Sequence, residues 1–288
     1  MTKNKKWIAL IGAGGNAGQL AYRCLKAHYN ITGHDSSQWG ELIMPCDYSE
    51  PWNADCILPL PDKAVASRYG DSDLSFCPDQ KQVLLCQDKA KCAEVLGDLA
   101  PITYWVRDTN GAGGKGAQMA SEYLPGRNIS VEFCFFNDRC VGYFMKERLA
   151  YSISGSKEPT HQFGTSFVSK CINDNRIMAR ALTALHLISF QTKTILHGFY
   201  GIDFKENKDG QFKITEINAG RLLTASYCYY YMTGYNLLRA GVAKFLGDDY
   251  NLGEYPLNYG VIRGLDMLPR LFSPEETKNW GNDVHPAT

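Results

Sequence analysis

Between residues 198 and 221 two apolar-rich runs flank an Asn-Lys-Asp-Gly tetrapeptide, in GFYGIDFKENKDGQFKITEINAGR. An Asp-Gly pair tolerates the positive φ of a tight turn, so this stretch must fold back on itself as a β-hairpin. Its second arm ends in Glu216, Ile217 and Asn218, followed by Gly220 and Arg221. Side chains two apart on a strand share a face, so Glu216 and Asn218 point the same way. Asp203 stands on the first arm, thirteen residues before Glu216, where a suitable register sets it beside them. Two carboxylates and an amide oxygen make a hard, all-oxygen donor set suited to Mg²⁺, which completes its shell with phosphates and waters. Arg221 offers a forked donor to a phosphoryl oxygen. A solvated hairpin face accounts for any one of these residues, but it does not require Asn-Ala-Gly-Arg after the acid.

The rest of the chain reads as alternating strands and helices. WIALI (7–11) predicts a buried parallel strand, followed by the glycine turn GAGGNAG and a helix over QLAYRCLKAHY. A short strand ends at Asp35, and further strands are expected at 54–60 and 82–87. This alternation predicts an open parallel α/β sheet. A helix is expected over QDKAKCAEVLGDLA, then a strand at 102–108 and the glycine loop TNGAGGKGAQ. Strands at 129–136 and 140–149, joined by Asn-Asp-Arg, read as a small antiparallel lobe. Residues 152–167 look polar and irregular. Met178, Ala181, Leu182, Leu185 and Ile188 predict a helix over 176–196, and a last helix is expected at 236–246. The run SYCYYYMTGYN reads as core and helix packing, and the C-terminal stretch is weakly patterned.

Composition narrows the class. Lys plus Arg and Asp plus Glu each number 30, so nothing global favours nucleic acid or an anionic membrane as partner. The ten cysteines form no C-x-x-C pair and many sit in apolar runs, where thiols act as small hydrophobes. No signal-peptide core and no membrane-length apolar run is visible. The expectation is a reduced, cytoplasmic protein.

Five ordered segments resemble the ATP-grasp superfamily. The hairpin GIDFKENKDGQFKITEINAGR is similar to its metal-binding hairpin, an acid followed by E-x-N. ILPLPDKAV and LLCQDKAKCAEVL resemble the segments that precede the grasp. YWVRDTNGAGGKG resembles the strand and phosphate loop, and EYLPGRNISVEF the hinge and following strand. The implied fold is a Rossmann-like lobe (1–95), a small grasp lobe with the phosphate loop (96–150), and a large lobe with the metal hairpin (151–288). The implied activity is ATP-dependent ligation of carboxylate to amine, as in carbamoyl phosphate synthetase-like members. ATP and two Mg²⁺ ions, or Mn²⁺ in their place, are the implied cofactors. The implied partners are small-molecule carboxylates and amines, with an amino acid or peptide as the default. A homodimer is expected by the same likeness.

By that resemblance Asp203 holds one metal, Glu216 bridges both and Asn218 ligates the second. Arg107 contacts the α/β-phosphates, and the backbone of Gly111, Gly113, Gly114 and Gly116 closes over them with Lys115 adding charge. Glu122, Tyr123 and Leu124 match the hinge that meets the adenine edge. Asn128 stands where the family commonly has a glutamate on the ribose, which puts that contact in question. The strand that usually carries another phosphate-binding cation before the phosphate loop is missing, and Arg148 is the candidate to replace it. Arg221 and Arg148 are the expected catalytic cations.

Two other readings stand beside this one. Gly12, Gly14 and Asp35 fit a dinucleotide fingerprint, which would make the chain an NAD(P)-dependent oxidoreductase. In the ATP-grasp reading the same turn packs helix against sheet and lines a substrate pocket. The abbreviated small lobe and Asn128 suit a non-catalytic nucleotide-binding module. His161 reads as a solvated loop histidine or a substrate contact.

Overall fold

A computed structural model describes residues 5–13, 16–35, 51–66, 69, 72–106, 118–153, 163–222, 224–264 and 268–281. The chain opens with β1 (Trp7–Ile11), α1 (Asn16–Leu25), β2 (Asn30–His34) and β3 (Cys56–Pro59). These strands form a parallel sheet in the order β2-β1-β3. β1 is apolar on both faces because both are covered. Ile8 and Leu10 pack with Leu20 and Ala21 of α1, while Ala9 and Ile11 meet Ile57 and Ala64 behind the sheet.

The glycine turn after β1 is filled by protein. A Cβ on Gly12 would stand 2.7 Å from the Pro61 ring, and one on Gly18 would stand 2.0 Å from the Ala13 carbonyl oxygen. Gly18 therefore allows α1 to close on the end of β1. Gly18→Ala is expected to cost about 1–3 kcal/mol, the usual penalty of forcing an atom into a packed site. Thermal melting checks this, and an unchanged midpoint would contradict it.

Next come α2 (Asp62–Val65), α3 (Gln80–Gln87) and α4 (Lys89–Leu96). Residues 82–87, expected as a strand, are helical. A short apolar run does not distinguish a strand from a buried helical turn, and the neighbouring residues decide. Asp79 follows a proline and caps the helix, its carboxylate accepting from the Lys81 N–H at 2.8 Å. The buried Gln82 donates its amide to the carbonyls of Thr194 and Ile195, which ties α3 to the chain beyond the long helix.

β4 (Thr103–Val106) and β5 (Gln118–Ser121) pair as an antiparallel two-stranded sheet. The remaining strands are β6 (Asn128–Phe136), β7 (Arg139–Ile153), β8 (Phe163–Cys171), β9 (Gly198–Glu206), β10 (Phe212–Ala219), β11 (Gly260–Ile262) and β12 (Arg270–Phe272). They form a seven-stranded sheet in the order β10-β9-β6-β7-β8-β11-β12. The strands expected in a small lobe at 129–149 are thus the centre of this large sheet, with β6 between β9 and β7. Their near-continuous apolar pattern is that of central strands covered on both faces. The stretch read as irregular contains the end of β7 and the start of β8, where the buried Ser166 breaks the apolar pattern and hides the strand signal.

One face of the large sheet is closed by α3, α4 and α5 (Asn175–Thr192). Val131, Phe133, Ile202 and Phe204 meet Ile177, Ala181, Leu185 and Ile188 there. Fully burying each such side chain contributes roughly 1.5–3 kcal/mol. The other face carries α6 (Thr224–Thr233) and α7 (Leu237–Leu246), with Tyr227, Tyr229 and Tyr230 fully buried, as expected for the aromatic run. α1 packs on α6 and α7, so β1 to β3 and the large sheet share a continuous core.

Candidate functional site

The hairpin forms as expected. The Asn207 side-chain carbonyl accepts from the N–H of Asp209 and of Gln211, and Gly210 takes φ +75°, closing the turn between β9 and β10. From the turn the register runs Phe212 opposite Glu206, Lys213 opposite Lys205 and Ile214 opposite Phe204. A bulge then takes up Thr215, so Glu216 stands opposite Asp203 and Asn218 opposite Gly201. Without the bulge Thr215 would face Asp203, and Glu216 and Asn218 would turn into the apolar core. Ile214, Ile217 and Ala219 instead occupy that core.

The two carboxylates are already matched by cations. Asp203 accepts from the Ser130 hydroxyl at 2.9 Å and from the Arg148 guanidinium. Lys89, at the start of α4, lies 3.7 Å from Glu216. Two recesses meet here. One of about 500 Å³ is lined by Gln87, Lys89, Glu216, Asn218 and Arg221. The other, of about 610 Å³, runs past Lys89 and Glu216 to Leu96, Thr103 and Leu124. Among the described residues no three His, Cys, Asp or Glu side chains gather as a metal site. The donor set is two carboxylates and one amide, and its all-oxygen chemistry fits a hard cation of the Mg²⁺ type.

The structure brings Glu216, Asn218 and Arg221 to one recess and sets Arg148 on Asp203. Glu122 ties the start of β4 to the β9–β10 turn: its carboxylate accepts from the Ile102 N–H and from the Asn207 amide, both at 3.2 Å. The Ile102 N–H, foremost, holds that carboxyl below its ordinary range. Leu124 is buried and Tyr123 is exposed. Asn128 pairs across the strands with Lys205, two residues past Asp203. Arg107, Gly111, Gly113, Gly114, Lys115, Gly116, Gly14 and His161 lie outside the described residues.

Lys89, Lys205 and Lys146 were not singled out in the sequence. For Lys205 the signal was present: it is two residues from Asp203 on one strand and so shares its face. Burial lowers its ammonium pKa. Lys146 gave no signal, because a lysine in a strand is ordinarily solvated.

Lys146 is 1% exposed and donates to the Ser226 hydroxyl at 2.7 Å. Burial, and then the charge of Arg148, lower its pKa to about 7, against the pull of Glu132 and Asp203. The unfolded value is about 10.4. Between the two the unfolded chain binds more protons, so stability rises with pH, by up to about 1.4 kcal/mol per unit. Below the folded pKa the penalty is constant. Urea unfolding at pH 7.0 and 8.5 is expected to show this gain in the native chain and not in Lys146→Met. Equal slopes in the two would contradict it.

Arg148 is held above its ordinary range: burial works against the guanidinium's charge, but Asp203 and Tyr151 outweigh it.

No protein-family model matches the sequence, and no curated protein matches it. Solved structures do match. A protein from Archaeoglobus fulgidus assigned to the ATP-grasp superfamily is 17% identical with a TM-score of 0.59, over 89% of this chain and 92% of that one. N5-carboxyaminoimidazole synthetase from Staphylococcus aureus, complexed with ADP, is 15% identical with a TM-score of 0.65, over 91% and 83%. L-amino acid ligase from Bacillus licheniformis is 11% identical with a TM-score of 0.61, over 91% and 80%.

Proposed function

On the premise of the ATP-grasp fold these neighbours share with the chain, we propose that it is an ATP-dependent ligase joining a carboxylate to an amine. The observation that carries this reading is the bulge at Thr215, which sets Glu216 opposite Asp203 with Asn218 on the same side. A strand has no structural need to place two carboxylates face to face.

In this reading ATP lies along the cleft between the two-stranded sheet and the hairpin. The hinge at Glu122, Tyr123 and Leu124 meets the adenine. Asn128 and Lys205 stand at the ribose end, and an amide serves as well as a carboxylate in bonding hydroxyls. Arg107, the loop from Gly111 to Gly116 and Lys115 take the phosphates. Asp203, Glu216 and Asn218 would hold magnesium, which when bound draws off the charge that builds on the phosphates during transfer.

The acceptor carboxylate attacks the γ-phosphorus and the bond to the β-phosphate oxygen breaks, giving an acyl phosphate and ADP. An amine nitrogen then attacks the acyl carbon, loses a proton and expels phosphate. The chain's own contribution is position and charge. Arg148 leaves Asp203 when that carboxylate is taken up and becomes available to the transferring phosphoryl group. Lys89 does the same from Glu216, and Arg221 reaches the recess from beyond the hairpin. The parallel sheet β2-β1-β3 with α1 would be the lobe before the grasp, while α3 and α4 go with the large sheet. Pro61 over Gly12 and Ala13 against Gly18 support a packing role for the glycine turn rather than a dinucleotide seat.

An ADP-release screen against pools of carboxylates and amines tests the proposal, with Glu216→Ala as control. ADP release that needs both a carboxylate and an amine, lost in the variant, is the expected result. Nucleotide binding without ADP release under any pool would make the chain a binding module. Reduction of NAD would reject the ligase reading.

A further inference from the structure

Two thiols share the wall of the recess beside Glu216. α3 ends at Gln87, α4 begins at Lys89, and Asp88 caps both with φ −80° and ψ 89°. In one continuous helix, residues six apart stand about 120° apart around the axis. The break at Asp88 instead folds Cys86, in the last turn of α3, onto Cys92, in the first turn of α4. The Cys92 N–H donates to the Asp88 carbonyl at 2.8 Å and closes that first turn. The two thiols are hydrogen-bond partners. They are 6% and 5% exposed, and both line the recess of about 610 Å³ that Lys89 and Glu216 also line. Buried thiols serve as apolar filler where no cavity reaches them; here one does.

The pair is also unequal. The Cys86 thiol donates to the Cys92 sulfur, and that bond foremost holds the Cys92 thiol below its ordinary range, against burial and the charge of Asp88. The same bond, and then burial, push Cys86 up. The start of α4 adds the positive end of its dipole at Cys92. By contrast, burial pushes the Cys134 thiol well up. One sulfur is thus prepared as a thiolate with a thiol held against it, as disulfide exchange requires.

We propose that Cys86 and Cys92 are a redox modification site, which a small-molecule disulfide reaches through this recess and converts to a protein disulfide. The Cys92 thiolate attacks one sulfur of the oxidant, and the other half leaves as a thiolate. The Cys86 thiol gives up its proton, and its sulfur attacks Cys92 Sγ and expels the second half. The chain loses two protons and two electrons, and the oxidant is released as two thiols. The new bond closes a ring from Cys86 to Cys92 with Lys89 inside it, so it ties the cation that faces Glu216 to the state of the thiols. An occupant of the recess keeps the oxidant out. Naming the nucleotide as that occupant rests on the ligase reading; the thiol pair does not.

Peptide mapping of the whole chain tests it. The reduced protein is incubated with oxidised glutathione, free thiols are blocked, and the chain is digested with trypsin, which cuts after Lys89 and Lys91, between the two cysteines. The expected product is the Cys86 and Cys92 peptides joined by a bond that dithiothreitol breaks. Cys86→Ala is expected to stop at a glutathione adduct on Cys92, and Cys92→Ala to leave Cys86 unmodified. If either variant fails to fold, the map of the native chain decides alone. Magnesium and a non-hydrolysable ATP analogue at about ten times its dissociation constant leave about a tenth of the chains empty, so joining is expected to slow about tenfold. Glutathione addition at the exposed Cys140 is the reference and is expected not to slow. Failure of Cys86 and Cys92 to join overturns the proposal, and joining at an unchanged rate in the saturated chain overturns access through the recess. A chain that joins the two and binds no nucleotide by calorimetry keeps the thiol site and rejects the nucleotide reading. Nucleotide binding with ADP release but no joined peptides does the reverse.

Discussion

Glu216→Gln is expected to lower ATP consumption on the order of a thousandfold, the scale seen when a group acting on transition-state charge is removed. The substitution keeps the shape and removes the negative charge facing Asp203. Stability is expected to change little. Glu216 is about a third exposed, and its pairing with Lys89 at 3.7 Å is an exposed ion pair, which is worth at most about 1 kcal/mol. ATP consumption by the variant against the native chain, with melting curves on both, separates the two effects. Activity within tenfold of the native chain would show that Glu216 is an ordinary surface acid.

The second large effect concerns the register of β10. Inserting one alanine between Glu216 and Ile217 exchanges the faces of everything beyond it. Ile217, now 3% exposed in the core against α3 and α5, would turn out, at a cost of roughly 1.5–3 kcal/mol. Asn218 would turn in, leaving an amide buried without a partner, for about 1–3 kcal/mol more. Together these are a large part of the roughly 5–15 kcal/mol that holds a domain folded. Deleting Thr215 makes the contrast. It removes the bulge and leaves Ile214 opposite Phe204 and Glu216 opposite Asp203. Its main cost is the bond from the Thr215 hydroxyl to the Asp203 carbonyl, worth about 1 kcal/mol. Urea unfolding of both variants is expected to show the insertion several-fold more damaging than the deletion. The reverse order would contradict the register.

This hairpin also shows how far the chain alone could be read. Its turn chemistry and the i, i+2 spacing of Glu216 and Asn218 were visible, and so was the need for Asp203 nearby. The bulge was not, because Thr215 carries no mark of it; a bulge is set by which residues the neighbouring core accepts, here Ile214 and then Ile217. The helix at 80–87 was misread as a strand because the burial of Gln82 depends on carbonyls at 194 and 195, far along the chain. The central place of β6 and β7 was hidden for a related reason: local pairing is legible from a short turn, but the joining of β6 to β9 is not. Lys146 could not be found at all, since its burial rests on helix α6 closing over the sheet.

The central claim is that Asp203, Glu216 and Asn218 hold the metal on a nucleotide's phosphates. A crystal structure with manganese and a non-hydrolysable ATP analogue, with the metal located by its anomalous scattering, tests it most directly. The account predicts a manganese peak within about 2.0–2.4 Å of oxygens from these three side chains, with Arg148 moved off Asp203. Nucleotide bound at the glycine turn after β1, or metal bound away from the hairpin, would contradict it.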